Sequence, residues 1–438
     1  MKTVLLSLLA AICAAWALAV ANTTYPADSA TLWIVRQEAM NLTGLLSIAL
    51  MSLSMLLATR PVWLEKPLNG LDRIYRLHKW SGILAVGFGA AHWLAKLSSG
   101  PIKALIGKDG RLPKIRYDGL LEVLRELGKD FGEPALYLVL AMLAITLWRR
   151  FPYRTWRQLH RVMPVLYLLL ALHAAMLSPP GYWTQPIGAL LAVVLSVGAV
   201  ASVWSLGGAI GRRRQVAGSV LSVSQEGQIT ELTCQLGAPW PGHRPGQFAF
   251  LTFDRLEGAH PFTIASADRG ECNSKTVTFF IKALGDFTRD LAQRVEVGQS
   301  LTIEGPYGRF QLASTPPAAR QIWVAGGIGA TPFLAWLEAL QSAPAREADL
   351  HYCTRDRDAD SMVGRLQTLC AALPGISLSI HSARHGEVLT AASLKLADER
   401  KAEVWFCGPN GLAEALKKSL ATSWNGRWRF HQEAFEMR

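Results

Sequence analysis

The hydrophobic pattern of this chain changes character at about residue 211. Before that point, apolar runs recur at about 3–21, 42–59, 77–97, 134–149, 160–177 and 184–209. A helix of roughly 20 apolar residues crosses a hydrocarbon layer about 30 Å thick, so the pattern predicts six membrane helices. The first run allows two readings, because Lys2, the apolar stretch behind it and "AVA" at 19–21 also suit a cleavable signal peptide. After "GRRRQ" at 211–215 the apolar residues come in short runs of a soluble domain.

The soluble half divides again. "SVLSVSQEG", "ITELTCQL", "QFAFLTF", "TVTFFIKAL" and "SLTIEGPYG" are short β-rich runs separated by glycine turns, which predict a closed antiparallel barrel over 215–315. From 316 to 438 strand and helix patterns alternate, as in "QIWVAGGIGATPFLAWLEAL", and predict an α/β domain. The expected architecture is therefore multidomain: an all-α membrane bundle over 1–210, a barrel and an α/β domain.

Charge adds an orientation. The net charge is +12, and basic residues gather at Arg60, Lys66, Arg73, Arg76 and Lys79, at Arg149, Arg150, Arg154, Arg157 and Arg161, and at Arg212 to Arg214. By the positive-inside rule these clusters are cytoplasmic, which puts the soluble half in the cytoplasm and the chain in the inner (plasma) membrane. The stretch 98–133 lies outside in this scheme although it holds seven Lys and Arg; six Asp and Glu are interleaved, and "LLEVLRELGKDF" predicts an amphipathic surface helix. Topology thus accounts for the basic excess, and no basic stripe with interleaved aromatics points to nucleic acid. The six cysteines form no CxxC and no metal-ligand spacing, against a disulfide framework, a zinc site and an iron–sulfur cluster.

Four histidines interrupt the apolar runs. His78 and His92 are 14 residues apart, so they differ by about 40° around a helix and about 21 Å along it. His160 and His173, 13 apart, would differ by about 140°, so either Pro164 distorts that helix or the two side chains reach their partners from different sides. Ionisable groups at membrane depth are costly and mark function. Imidazoles facing one another across two helices would supply both axial ligands of a haem iron, twice. Both segments run outward, which pairs His78 with His160 near the inner surface and His92 with His173 near the outer one. The distance along the helix excludes one ion shared by all four. Gly82, Gly87 and Gly89 would let a flat macrocycle lie close to the backbone, or would serve helix packing.

These paired histidines, followed by the soluble motifs below, resemble the ferric reductase and NADPH oxidase superfamily over nearly the whole chain. The resemblance implies two haem b groups, FAD and NADPH. "HPFT" resembles the flavin strand of ferredoxin reductases, which implies that His260, Pro261, Phe262 and Thr263 contact the flavin. "IKALGDFT" implies diphosphate contacts from Lys282, Gly285 and Thr288. The turn "GGIGATP" with "VWFCGP" at 404–409 implies that Gly326, Gly327, Gly329, Thr331 and Pro332 line the dinucleotide, with Cys407, Gly408 and Pro409 near the nicotinamide. Arg355 and Arg357 stand where guanidinium groups suit a 2′-phosphate, favouring NADPH over NADH. Phe435 resembles the terminal aromatic that covers the flavin, with Phe430 as the other candidate. The implied activity is electron transfer from NADPH through FAD and the haems to dioxygen or a ferric chelate beyond the bilayer. An electron-donating subunit for a periplasmic redox partner and a membrane-tethered flavin reductase with structural histidines are the other classes. Arg36, in the outer loop 21–41, is either a solvated residue or one that meets a haem propionate or attracts an anionic acceptor.

Overall fold

The computed structural model describes residues 2–113, 115–148, 150–237, 239–254, 257–268, 275–312, 319–394, 401–424 and 427–433. The chain divides at Ile210/Gly211 into two compact units.

The first unit is helical: α1 (Lys2–Ala21), α2 (Thr31–Ala58), α3 (Val62–Leu68), α4 (Leu71–Leu97), α5 (Ser99–Ile106), α6 (Leu120–Leu147), α7 (Tyr153–His160), α8 (Met163–Leu177) and α9 (Pro186–Leu206). Among the described residues five helical stretches are long and apolar enough to cross a membrane: α1, α2, α6, the stretch Tyr153–Leu177 and α9. The 27-residue α4 is not among them. Its charged residues, together with the two histidines, lower its mean hydropathy. α4 packs along α2, and α8 against α6. Hydroxyl pairs tie these helices across apolar surroundings: Ser54 Oγ to Ser81 Oγ at 2.7 Å, and Ser52 Oγ to the Tyr167 phenol at 2.8 Å.

Three sequence expectations change. "LLEVLRELGKDF" is not a separate surface helix but the first half of α6, which continues through Pro134 to Leu147. Arg36 is not in a loop; it lies within α2, and its Nη2 donates to the Lys96 carbonyl at 2.8 Å. The fifth apolar run is not one regular helix, since α7 ends at His160 and α8 begins at Met163. Pro164 is the physical reason: it lacks an N–H and its ring excludes the carbonyl a turn earlier, so it is tolerated only in a first turn. Of the two options for the His160–His173 spacing, the structure shows the distorted one.

The second unit begins with a six-stranded antiparallel sheet of β1 (Gln215–Glu226), β2 (Ile229–Leu236), β3 (Phe248–Thr252), β4 (His260–Thr263), β5 (Lys275–Lys282) and β6 (Ser300–Tyr307), in the order β4-β3-β6-β1-β2-β5. A single antiparallel bridge, Ile264 to Phe279, joins residues just past one edge strand to the other. Two short helices, α10 (Asp286–Arg289) and α11 (Leu291–Arg294), follow β5. A parallel sheet comes next, with β7 (Arg320–Gly326), β8 (Ala348–Thr354), β9 (Ile376–Ser382), β10 (Ala402–Cys407) and β11 (Trp428–Glu433) in the order β11-β10-β7-β8-β9. Helices α12 (Thr331–Leu340), α13 (Ser361–Ala371) and α14 (Asn410–Ser423) are interleaved with its strands. β10 is buried at every position, as expected of a central strand covered on both faces.

Candidate functional site

The helical unit brings its four histidines together in two pairs. His78 and His160 have ring centroids 6.1 Å apart at an interplanar angle of 75°; His92 and His173 have the same 6.1 Å separation at 84°. Two imidazoles that bind one metal from opposite sides, each at about 2 Å, hold their centroids about 6 Å apart. Neither pair makes a hydrogen bond ring to ring, and the angles are far from stacking. The separation is the one a bis-imidazole metal site needs, and the angles are those of edge-to-face ring pairs.

The tautomers support this fit. His78 Nδ1 lies 2.9 Å from the Ser54 carbonyl, His92 Nδ1 2.8 Å from Met40 O, and His173 Nδ1 2.9 Å from Gly128 O. A carbonyl only accepts, so Nδ1 carries the proton in each and Nε2 keeps its lone pair. That outer-shell bond to a backbone carbonyl is what orients metal-binding histidines. Met40 and Ser54 are spaced along α2 by the same 14 residues that separate the α4 histidines, so one antiparallel helix supplies both anchors. His160 differs: its Nδ1 is buried without a partner, and its ring stacks on Trp156 at 5.2 Å and 28°.

A cavity of about 330 Å³ surrounds the His92–His173 pair, lined largely by apolar residues such as Leu45, Ile48, Met51 and Val86, together with Lys96, Lys129 and Glu133. The glycines that make room for the rings are Gly44 and Gly132. A Cβ on Gly132 would stand 2.4 Å from His173 Nδ1, and one on Gly44 3.1 Å from His92 Nδ1. Of the glycines expected to let a macrocycle lie close to the backbone, Gly89 lines this cavity, while a Cβ on Gly87 would meet nothing within 4 Å and one on Gly82 nothing nearer than 3.9 Å.

In the second unit a cleft of about 1170 Å³ opens beyond the C-terminal ends of β7 and β10. Strand order reverses here, since β7 lies between β10 and β8, and open parallel sheets bind ligands at such a switch point. The cleft gathers Pro261, Phe262, Thr263, Lys282, Thr288, Gly326, Gly327, Gly329, Thr331, Arg355, Cys407, Gly408 and Pro409. Gly329 permits the close approach of two strand ends, because a Cβ there would stand 2.1 Å from the Cys407 carbonyl. Gly327, with φ +54, would project a Cβ toward no protein atom within 4 Å. The glycine turn thus presents backbone to open space at the start of α12, as a diphosphate cradle requires.

Four expected residues, His260, Gly285, Pro332 and Arg357, stand aside from the lining. His260 stacks on Phe287 at 3.9 Å, Gly285 donates its N–H to Thr288 Oγ1 at 3.1 Å, and Pro332 is buried in the first turn of α12. Phe435 lies outside the described residues. Arg357 pairs with Glu387 at 3.0 Å, leaving Arg355 as the arginine of the two on the cleft. Arg384 bonds Asp356 and holds its carboxyl below the usual carboxylate range. Burial, with the Glu433 carboxylate nearby, keeps the Cys407 thiol well above its ordinary pKa, so it remains a neutral thiol and not a nucleophilic thiolate. Glu433, on the cleft beside Cys407 in the β10–β11 register, was not foreseen. Trp156 was also overlooked, although a position four residues before His160 shares its helix face.

Residues 43–171 match the family model of the ferric reductase like transmembrane component, and residues 228–311 that of an FAD-binding domain. The chain is 34% identical over 138 residues to the carnitine monooxygenase reductase subunit of Escherichia coli, covering 31% of this chain and 40% of that protein. It is 26% identical over 232 residues to an NADPH oxidoreductase of Mycobacterium tuberculosis, covering 51% of this chain and 60% of the relative. The chain therefore spans about half the length of these curated relatives. Among solved structures, phthalate dioxygenase reductase aligns with a TM-score of 0.42 at 19% identity, over 50% of this chain and 68% of that one.

Proposed function

We infer, for a chain that belongs to the ferric reductase and NADPH oxidase superfamily, a transmembrane electron path from NADPH to an acceptor on the outer side. The chain is an oxidoreductase with an FAD-binding domain and membrane helices, and we assign a six-helix haem domain to 1–210, a barrel flavin domain to 215–315 and an NADPH domain to 316–438. The soluble part would face the cytoplasm and the helices would cross the inner (plasma) membrane. The observation that carries the reading is the pair of histidine couples with equal 6.1 Å separations. The bridge from Ile264 to Phe279 supports closure of the barrel.

FAD, when bound, would supply the exchange between two-electron and one-electron chemistry, and haem would supply one-electron chemistry. This chain's residues hold and orient. The turn at Gly326, Gly327 and Gly329 offers backbone N–H groups to the diphosphate, and Arg355 offers a permanent charge to a 2′-phosphate. Pro261, Phe262 and Thr263 would lie along the flavin, with Lys282 and Thr288 toward its phosphates. Cys407 and Glu433 close the nicotinamide end, and Phe435 would cover the flavin. His78 with His160, and His92 with His173, would each present two Nε2 lone pairs to one iron. No proton relay is required along this path.

Dioxygen, giving superoxide, is the preferred acceptor, because it needs only a small open space beside the outer haem. Lys96 and Lys129 on the lining of the outer cavity favour a ferric chelate as the second reading. An anaerobic optical spectrum before and after NADPH tests the path. Low-spin haem b should become reduced, with His92→Ala removing the outer contribution and His78→Ala the inner one. A purified chain without haem would end this reading.

A further inference from the structure

The four histidines are not held alike, and the exception lies at one place. His78, His92 and His173 each fix the ring through Nδ1 on a backbone carbonyl. His160 occupies the last position of α7, where the chain leaves the helix before Pro164, and its Nδ1 is buried with no acceptor. An imidazole without that bond is free to turn about its side-chain torsions, and a ligand that turns loses its aim. The ring has a different support. Trp156, one turn earlier, stacks on it at 5.2 Å and 28°, and the indole is fixed in turn because Nε1 donates to Thr146 Oγ1 on α6 at 2.9 Å. Thr146 Oγ1 itself donates to the Met142 carbonyl at 2.7 Å, which orients its lone pair toward the indole. Tyr153 also packs against Trp156, with ring centroids 5.4 Å apart.

We propose that Trp156 is a positioning residue for His160, replacing by aromatic stacking, and by its hydrogen bond to Thr146, the carbonyl anchor that the other three histidines use. The proposal rests on the haem reading above. It has a physical consequence that simple packing lacks: damage to Trp156 is transmitted to the inner pair alone, and the remedy is a ring, not volume.

The test uses the full-length haem-loaded protein in detergent, with haem retention per site and the low-spin electron paramagnetic resonance spectrum as readouts. His78→Ala and His92→Ala assign the two signals. Trp156→Leu should weaken retention of the inner haem about tenfold, the lower end of the effect of removing a metal ligand's outer-shell partner. It should broaden the inner signal and leave the outer one unmoved. Trp156→Phe, which keeps a ring, should restore most of the loss. Thr146→Val, which removes only the support of the indole, should shift the inner signal by less, and it decides the matter if the leucine variant does not fold. An inner signal and retention unchanged in Trp156→Leu, or a leucine variant equal to the phenylalanine one, would overturn the proposal while the haem reading stands. Wild-type protein that binds no haem would remove both.

Discussion

The two units prepare their sites by opposite means. In the helical unit the chemistry sits in four side chains, and the backbone serves by accepting their Nδ1–H groups: Ser54, Met40 and Gly128 contribute only carbonyl oxygens. In the soluble unit the side chains withdraw. Gly327 turns main chain toward open space at the switch point, Gly326, Gly329 and Gly408 let the strand ends approach closely, and the Cys407 thiol is kept neutral. A soft metal-like function needs directed lone pairs, while a flat, anionic ligand of many atoms needs donors spread over a surface. The lesson is that sensitivity to mutation should follow the means: ring orientation in one unit, and Cβ-free backbone in the other.

The largest expected effect lies in the first unit. A side chain at Gly132 would collide with His173 Nδ1, the atom through which that ring is anchored. Gly132→Val should weaken the outer haem by about 10- to 100-fold, as loss of an outer-shell partner does, with the inner haem retained. Gly82→Ala, whose Cβ would come no nearer than 3.9 Å to Ser54 Oγ, should be tolerated. Haem stoichiometry of the two variants checks this; equal losses would show that the glycines matter for helix packing and not for the ring.

A smaller effect separates two glycines of the cleft. Gly329→Ala drives a Cβ into the Cys407 carbonyl and should lower stability by about 1–3 kcal/mol, the usual cost of overpacking. Gly327→Ala meets no protein atom within 4 Å, although φ +54 adds about 1 kcal/mol of left-handed strain. Its main loss should therefore appear in nucleotide affinity. Thermal unfolding and NADPH titration of both variants sharpen the comparison, and it breaks if Gly327→Ala loses stability as much as Gly329→Ala and binds nucleotide normally.

The parts that could be read from sequence follow the same division. The histidine pairing was legible because helical spacing converts directly to depth, and the glycine turn and "CGP" because they end apolar strands. What escaped was set by neighbours distant in sequence. Nothing near Gly132 signals that His173, 41 residues later, will lie against it. The length of α6 escaped because its first half is charged, and a window that rewards apolar residues ends a helix where its polar face begins. Trp156 stands one helical turn from His160 in the sequence, but that offset alone does not mark a stacked pair.

The last test concerns the buried thiol at the nicotinamide end of the soluble site. Burial and the Glu433 carboxylate raise the Cys407 pKa, so the native thiol stays protonated where an unfolded one, with a pKa of about 8.5, begins to ionise. The sign follows: below about pH 8 both states hold the proton and Cys407 adds no pH dependence, while above it the unfolded state loses the proton first and stability falls as pH rises. At pH 8 native protein treated with iodoacetamide should therefore show Cys407 unmodified by mass spectrometry, and the same protein after unfolding should show it alkylated. Cys407→Ala should retain nucleotide binding where Gly327→Ala does not. Rapid alkylation of Cys407 in the native protein would mean an exposed thiolate at the nicotinamide end, and the contrast between a side-chain site and a backbone site would no longer hold.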